Sequence, residues 1–189
     1  MNKKLIAIAF AALIALTGCS TATVEKPAAE PAKEASPVET KEPAAPKEGT
    51  RENPYPIGSA ITDGDWTATI NSVNLDGTQA VMDTNPFNET PAEGTQYILV
   101  NVTLTYNGDN PDGSMPMMIA EYVTVDGNTI NSFDKMVLPP EQFDNVSTLY
   151  TGASTTGNLA FEVPSATASE GVLAVKADMM GDKVFVKVQ

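Results

Sequence analysis

A two-residue rhythm constrains this chain more than any other feature. In YILVNVTLTY, residues 97–106, Val100, Val102, Leu104 and Tyr106 fall on alternate positions, with Asn101, Thr103 and Thr105 between them. Successive side chains of an extended strand point to opposite faces, so this stretch reads as a strand with one apolar and one polar face. The same reading puts Trp66, Ala68 and Ile70 on one face of WTATINSV, with Ser72 next in the series. It predicts further strands at 117–125 (MMIAEYVTV), 158–163 (NLAFEV), 172–177 (VLAVKA) and 183–188 (KVFVKV). In the last of these, Val184, Val186 and Val188 face one way and Lys183 and Lys187 the other. Asp126-Gly127-Asn128 and Met180-Gly181-Asp182 supply the turn chemistry that closes hairpins. No apolar pattern of helical period lasts three turns. Short strands separated by frequent turns imply an all-β, antiparallel sandwich over residues 54–189, a length that suits one domain with one core.

That core has no covalent help. The chain has one cysteine, Cys19, so no intramolecular disulfide can form. Its position is informative, because it follows Met1-Asn2-Lys3-Lys4 and the apolar run LIAIAFAALIALTG. A cationic head and an apolar segment short of the ~20 residues of a membrane span make a signal peptide over residues 1–18. Leu16, Thr17, Gly18 and Cys19 resemble the lipobox of bacterial lipoproteins. The resemblance implies cleavage before Cys19 and a diacylglycerol thioether on its sulfur. The protein would then be lipid-anchored at the bacterial cell membrane and face the extracytoplasmic side. The plainer alternative is a secreted protein in which Cys19 is a free thiol.

Residues 19–53 change composition to Ala, Pro, Glu and Lys, with prolines at 27, 31, 37, 43 and 46. Such a segment has too little apolar surface for a core and too much proline for a helix, so it reads as a disordered tether. Extended at ~3.1 Å per residue it would reach roughly 100 Å.

The spacing of Gly58 and Ile61, the run Pro91, Gly94, Tyr97, Val100, Val102, Leu104 and Asn107, the Val125-Asp126-Gly127 turn and TGASTTGNLAFEVP together resemble the bacterial domain-of-unknown-function family numbered 4352. The resemblance covers nearly all of residues 54–189 and implies an immunoglobulin-like fold on a secreted or lipid-anchored protein. It carries no catalytic or ligand residues. Each feature also has a folding reason: Leu159, Phe161 and Val163 alternate inward, Gly152 and Gly157 permit close approach, and Pro164 ends the ladder for want of a donor.

Charge narrows the partners. The chain has 24 acidic and 11 basic residues, and without Lys3 and Lys4 of the signal the balance is 9 basic against 24 acidic. A surface this acidic repels nucleic acid and anionic headgroups. Cations are the obvious alternative partners. Asn107, Asp109 and Asp112 in NGDNPDGS, with Ser114 beyond, offer hard oxygens for Ca²⁺, but Pro111 and Met118 stand where a calcium loop needs ligands. Met115, Met117 and Met118 offer thioethers for Cu⁺, without the histidine or free thiol that accompany them in copper sites. Neither set makes a firm metal site, and no cofactor is implied.

The chain has no histidine, which excludes Ser–His–Asp and Cys–His chemistry and removes the common zinc ligands. A carboxylate pair, Asp63 with Asp65 or Asp109 with Asp112, could in principle serve a glycoside hydrolase, yet all four lie in turn-like contexts. The expectation is a protein that is not an enzyme. A binding module fits better: Tyr55, Phe87, Phe133 and Phe143 lie in or beside predicted loops, and FDK and FDN repeat an aromatic followed by aspartate. Loop aromatics can dock an envelope protein or glycan; equally they can plug the ends of the core.

Overall fold

A computed structural model describes residues Thr23–Glu25 and 47–189; the signal peptide, the lipobox with Cys19, and the tether between 26 and 46 lie outside the described residues. The strands are β1 (Thr23–Glu25), β2 (Ala60–Asp63), β3 (Trp66–Asn74), β4 (Thr95–Tyr106), β5 (Ile119–Val123), β6 (Thr129–Asn131), β7 (Ser154–Pro164), β8 (Val172–Lys176) and β9 (Val184–Lys187). Among the described residues one α-helix, α1 (Thr78–Thr84), separates β3 from β4, and a single 3-10 turn, Ser165–Thr167, follows β7. Among the described residues the strands form two sheets, in the orders β1-β2-β3-β4-β7 and β6-β5-β8-β9. Every pairing is antiparallel. The all-β antiparallel sandwich expected from the alternation is thus the architecture found. The chain crosses from the first sheet to the second between β4 and β5 and again between β7 and β8. Because β4 pairs with β7 and β5 with β8, the two crossings interlock the sheets.

The inner faces meet in one apolar core. Ile61, Ala68, Ile70, Val100, Val102, Leu104, Phe161 and Val163 come from the first sheet, and Tyr122, Leu173, Val175 and Val186 from the second, all buried. Trp66 and Tyr106 are direct cross-strand partners whose ring centroids lie 4.8 Å apart at 48°, an aromatic pair that seals one end.

Three local expectations change. Ser72 does not follow Ile70 inward: the register slips between them, and a bulge leaves Asn71 and Ser72 exposed while Val73 takes the inner place opposite Val100. The helix α1, invisible to a three-turn criterion, has only seven residues and is held by tertiary contacts. The folded unit also begins ahead of residue 54. The Gly49 carbonyl accepts the N–H of Phe185, and the Arg51 guanidinium donates to the carbonyls of Thr124 (2.9 Å) and Val125 (2.6 Å). Further back, the three residues of β1 add to the β2 edge from within the linker. Backbone pairing needs no large side chains, so composition alone did not forbid it.

Exposed sheet edges invite unwanted pairing, and here two are covered by the chain itself. Tyr55 pairs with β9, donating to Phe185 and accepting from Lys187 at 2.8 Å each. Residues 141–143 run beside β7: Asn158 donates to the Glu141 carbonyl (2.8 Å) and accepts from Phe143 N–H (3.0 Å). Glu141 turns the chain into this position with φ at 47°, a conformation costly to a residue with a β-carbon. Gly157 makes the approach possible, since a β-carbon there would stand 2.5 Å from the Phe143 Cα and 2.6 Å from its nitrogen. Gly157→Ala is therefore expected to destabilise the domain by about 1–3 kcal/mol through forced backbone displacement. A thermal melt should show the midpoint falling by several degrees, with increased exchange of the Phe143 and Asn158 amides.

Candidate functional site

The outer face of the first sheet divides into two regions. At one end it is apolar. In the run Tyr97-Ile98-Leu99-Val100, Ile98 and Val100 join the core, while Tyr97 and Leu99 point outward and are buried with Val81 of α1 and Ala160 of β7. Gly77, capping α1, donates to the Tyr97 carbonyl (2.9 Å), and a β-carbon there would meet Leu99 at 2.9 Å, so the helix can sit close on β4. Thr78 Oγ1 accepts the Tyr97 N–H (3.0 Å).

Beyond α1 two loops flank a cleft of about 500 Å³, lined by Asn85 and Phe87 on one side and by Phe133, Met136 and Leu138 on the other, with Phe143, Asn158 and Leu159 among its other residues. Phe87 is 89% exposed, Phe133 78% and Met136 95%. Large apolar side chains left in water around a pre-formed cleft are the signature of an interaction site. The loops are tied together by Asn88, which is buried: its amide donates to the carbonyls of Val81 (2.7 Å) and Leu138 (2.9 Å), and its oxygen accepts the Leu138 N–H (2.8 Å).

A charged clamp supports the same loops. Lys135 lies 3.3 Å from Glu89 and 3.4 Å from Glu162. Burial alone would raise the Glu162 carboxyl. The Thr95 hydroxyl (2.6 Å), the Ala92 N–H (2.7 Å) and Lys135 outweigh it and hold the group below the ordinary carboxylate value. The hydrogen bond to Glu89, followed by the charge of Glu162, holds Lys135 above the ordinary lysine value. Burial first, and the Glu162 charge second, raise the hydroxyl of Tyr97, which donates to the Glu89 carbonyl at 2.9 Å.

The other region of the outer face is polar, and its described outward side chains on β2, β3, β4 and residues 154–158 of β7 carry no charge. Thr62 and Thr67, Thr105 and Ser154, and Thr103 and Thr156 pair hydroxyl to hydroxyl at 2.8–2.9 Å. Asn71 donates to Asn101 (2.8 Å) and Asn101 to Asn158 (2.9 Å), a row of amides that crosses β3, β4 and β7 and ends in the cleft.

The structure brings together three of the four aromatics singled out in the sequence. Phe87 and Phe133 stand at the cleft; Phe143 lines it but is 5% exposed and packs in the core. Tyr55 lies elsewhere, packed against the core beside Gly49. The aspartates of FDK and FDN serve turns: Asp134 accepts the Asn131 N–H (2.8 Å). Asp144 accepts the N–H groups of Val146 and Ser147, and the Ser147 hydroxyl foremost lowers its pKa. Of the calcium candidates, the Asn107 amide donates to Thr67 Oγ1 (2.9 Å), and Asp109 and Asp112 are exposed. Met118 packs on the core while Met115 and Met117 are exposed. Asp63 is buried and accepts the Asp182 N–H at 2.6 Å, tying the β2–β3 turn to the last hairpin; Asp65 is exposed at a second, acidic cleft of about 510 Å³ with Asp178 and Asp182. Among the described residues no group of three or more carboxylates converges as a metal site would require.

The sequence reading missed the Asn/Thr face and the part played by Asn88. The signal for the first was present, because TAT, NVTLT and STTGN put Thr, Ser or Asn and never a charge at the outward positions. Asn88 gave none, since its partners Val81 and Leu138 are set by the fold.

These features describe an antiparallel β-sandwich with a lateral apolar cleft and an uncharged polar sheet face. The chain belongs to the Domain of unknown function (DUF4352) family, whose model matches residues 55–185. It is similar in fold to a conserved hypothetical protein from Bacillus anthracis, with 11% identity, 69% of this chain and 94% of that chain covered, and a TM-score of 0.44. An uncharacterized beta-sandwich protein from Clostridium difficile 630 is likewise similar, with 16% identity, 80% and 100% covered, and a TM-score of 0.45. No curated protein matches.

Two outcomes follow from the geometry. Asn88→Ala strands the Leu138 N–H and removes three bonds, so a loss of about 1–3 kcal/mol is expected in chemical denaturation, with faster exchange at residues 136–138. The clamp should also respond to acid. Glu162 has a lowered folded pKa, so its stabilising contribution is present above the ordinary glutamate value of about 4.3 and lost as pH falls through the folded value. Lys135 has a raised one, so its contribution is complete below about 10.4 and lost as pH rises through the folded value. Hydrogen exchange should show residues 132–138 loosening in acid before the core does, and Glu162→Gln should abolish that early step.

Proposed function

We propose that this chain is a lipid-anchored, extracytoplasmic binding protein that acts by recognition and not by catalysis. Cys19 is the attachment point, and the sandwich domain presents the Phe87–Phe133 cleft to a component of the cell envelope. The observation that carries this reading is the pair of loops, fixed by Asn88 and the Lys135 clamp, that hold Phe87, Phe133 and Met136 in water around a formed cleft. Keeping such rings exposed forgoes about 1.5–3 kcal/mol of burial each, which a ligand would recover. The acidic balance of the chain disfavours nucleic acid and anionic surfaces as that ligand.

The anchor and the cleft are tested separately. Cys19→Ser should move the protein from the membrane to the soluble fraction and remove the diacylglycerol mass from its N-terminus. A photo-crosslinking amino acid placed at Phe133 should give a defined adduct in intact cells, lost when Phe87→Ala is added. A protein that yields no adduct at Phe133 in its own envelope would sink the binding assignment.

A further inference from the structure

Resting on that binding assignment, we infer that the cleft takes a neutral glycan, whose chain continues from the cleft across the Asn/Thr face of the first sheet. The cleft joins exposed aromatic rings to amides and a hydroxyl: Asn85, Gln142, Asn145, Asn158 and Ser132 line it beside Phe87 and Phe133. A pyranose matches this mixture. Its C–H faces are apolar and pack on rings, and its rim of hydroxyls both donates and accepts, as an amide does.

Charge argues the same way. Lys135, the one ionic side chain that lines the cleft among the described residues, is already shared between Glu89 and Glu162, a group of one positive and two negative charges, so the cleft offers no free cation to an anionic ligand. Among the described side chains, the adjoining face carries no charge on β2, β3, β4 or residues 154–158 of β7, where the outward positions hold Thr, Ser, Asn and Ala60; Glu162 is the outward charge further along β7. Asn158 belongs to both regions, and from it the amide row runs through Asn101 to Asn71, about 10 Å at ordinary strand spacing.

Other ligand chemistries fit less well. A peptide adding as a strand would need the β7 edge, which residues 141–143 already occupy. An acyl chain would take the cleft amides of Gln142 and Asn145 out of water into hydrocarbon, at a cost in affinity.

The probes are the neutral hexasaccharides of β-1,4-linked N-acetylglucosamine and of β-1,4-linked glucose, titrated calorimetrically into the full lipidated chain in detergent. Polygalacturonate and a neutral Leu/Phe-rich peptide serve as controls. At least one neutral hexasaccharide should bind, with an affinity changing less than twofold between 50 and 500 mM NaCl, because no ion pair is formed. The double variant Phe87→Ala/Phe133→Ala should weaken it at least tenfold and Thr156→Lys at least threefold. Both variants alter exposed positions, and an unchanged melting midpoint confirms that the fold is kept. Failure of both hexasaccharides to bind, binding confined to a control, or native affinity in both variants would overturn the proposal. The Phe133 adduct separates the two assignments. If acid hydrolysis of the purified adduct releases no sugar and its digest contains peptides of a second protein, the cleft is a binding site for protein and the glycan assignment falls alone; if no adduct forms, the binding assignment has failed first.

Discussion

The structure depends on β4. It pairs along eight positions with β3 on one side and along eleven with β7 on the other, and residues 97–100 are buried on both faces. Ile98 and Val100 anchor the sandwich core, while Tyr97 and Leu99 create on the outer face a second apolar surface that has to be covered. The cover is α1 with the loops after it, so the burial that stabilises the sheet also delivers Phe87 to the cleft. A strand with one wet face throughout would have needed no helix and would have built no cleft.

The other wall of the cleft has an equally physical origin. The β7 edge is closed by residues 141–143, at the expense of a left-handed Glu141 and a glycine at 157. Closing that edge draws in the 132–140 segment, which Asn88 and the Lys135 clamp then hold against the loop after α1. Phe133 and Met136 are exposed because this segment is pinned by its backbone and by Lys135, with its apolar side chains left over. Edge protection and cleft construction are one arrangement, and the polar and charged ties leave the apolar rings exposed around the cleft.

Much of the fold was legible in particular residues. Val100, Val102, Leu104 and Tyr106 announced β4, Val184, Val186 and Val188 announced β9, and Gly127 marked the hairpin it makes with φ at 87°. Ser72 misled because a one-residue bulge reverses every side chain beyond it, and nothing local to NSV marks the slip. The helix was hidden because seven residues with one buried side chain, Val81, carry no period. Of the four loop aromatics, Phe87 and Phe133 proved exposed, whereas Phe143 and Tyr55 were turned to the core, a sorting that loop sequence cannot make.

By itself, the sequence determined the antiparallel sandwich, the want of an intramolecular disulfide, and the acidic character of the chain. Those are properties of local pattern and composition, fixed before any two distant residues meet. Tertiary structure decided that Phe87 and Phe133 share a cleft, that Asn71, Asn101 and Asn158 form one row, and that Asp63 serves a turn. Each of these joins residues far apart in the chain, and such pairings follow from strand register and crossing order, which no single segment encodes.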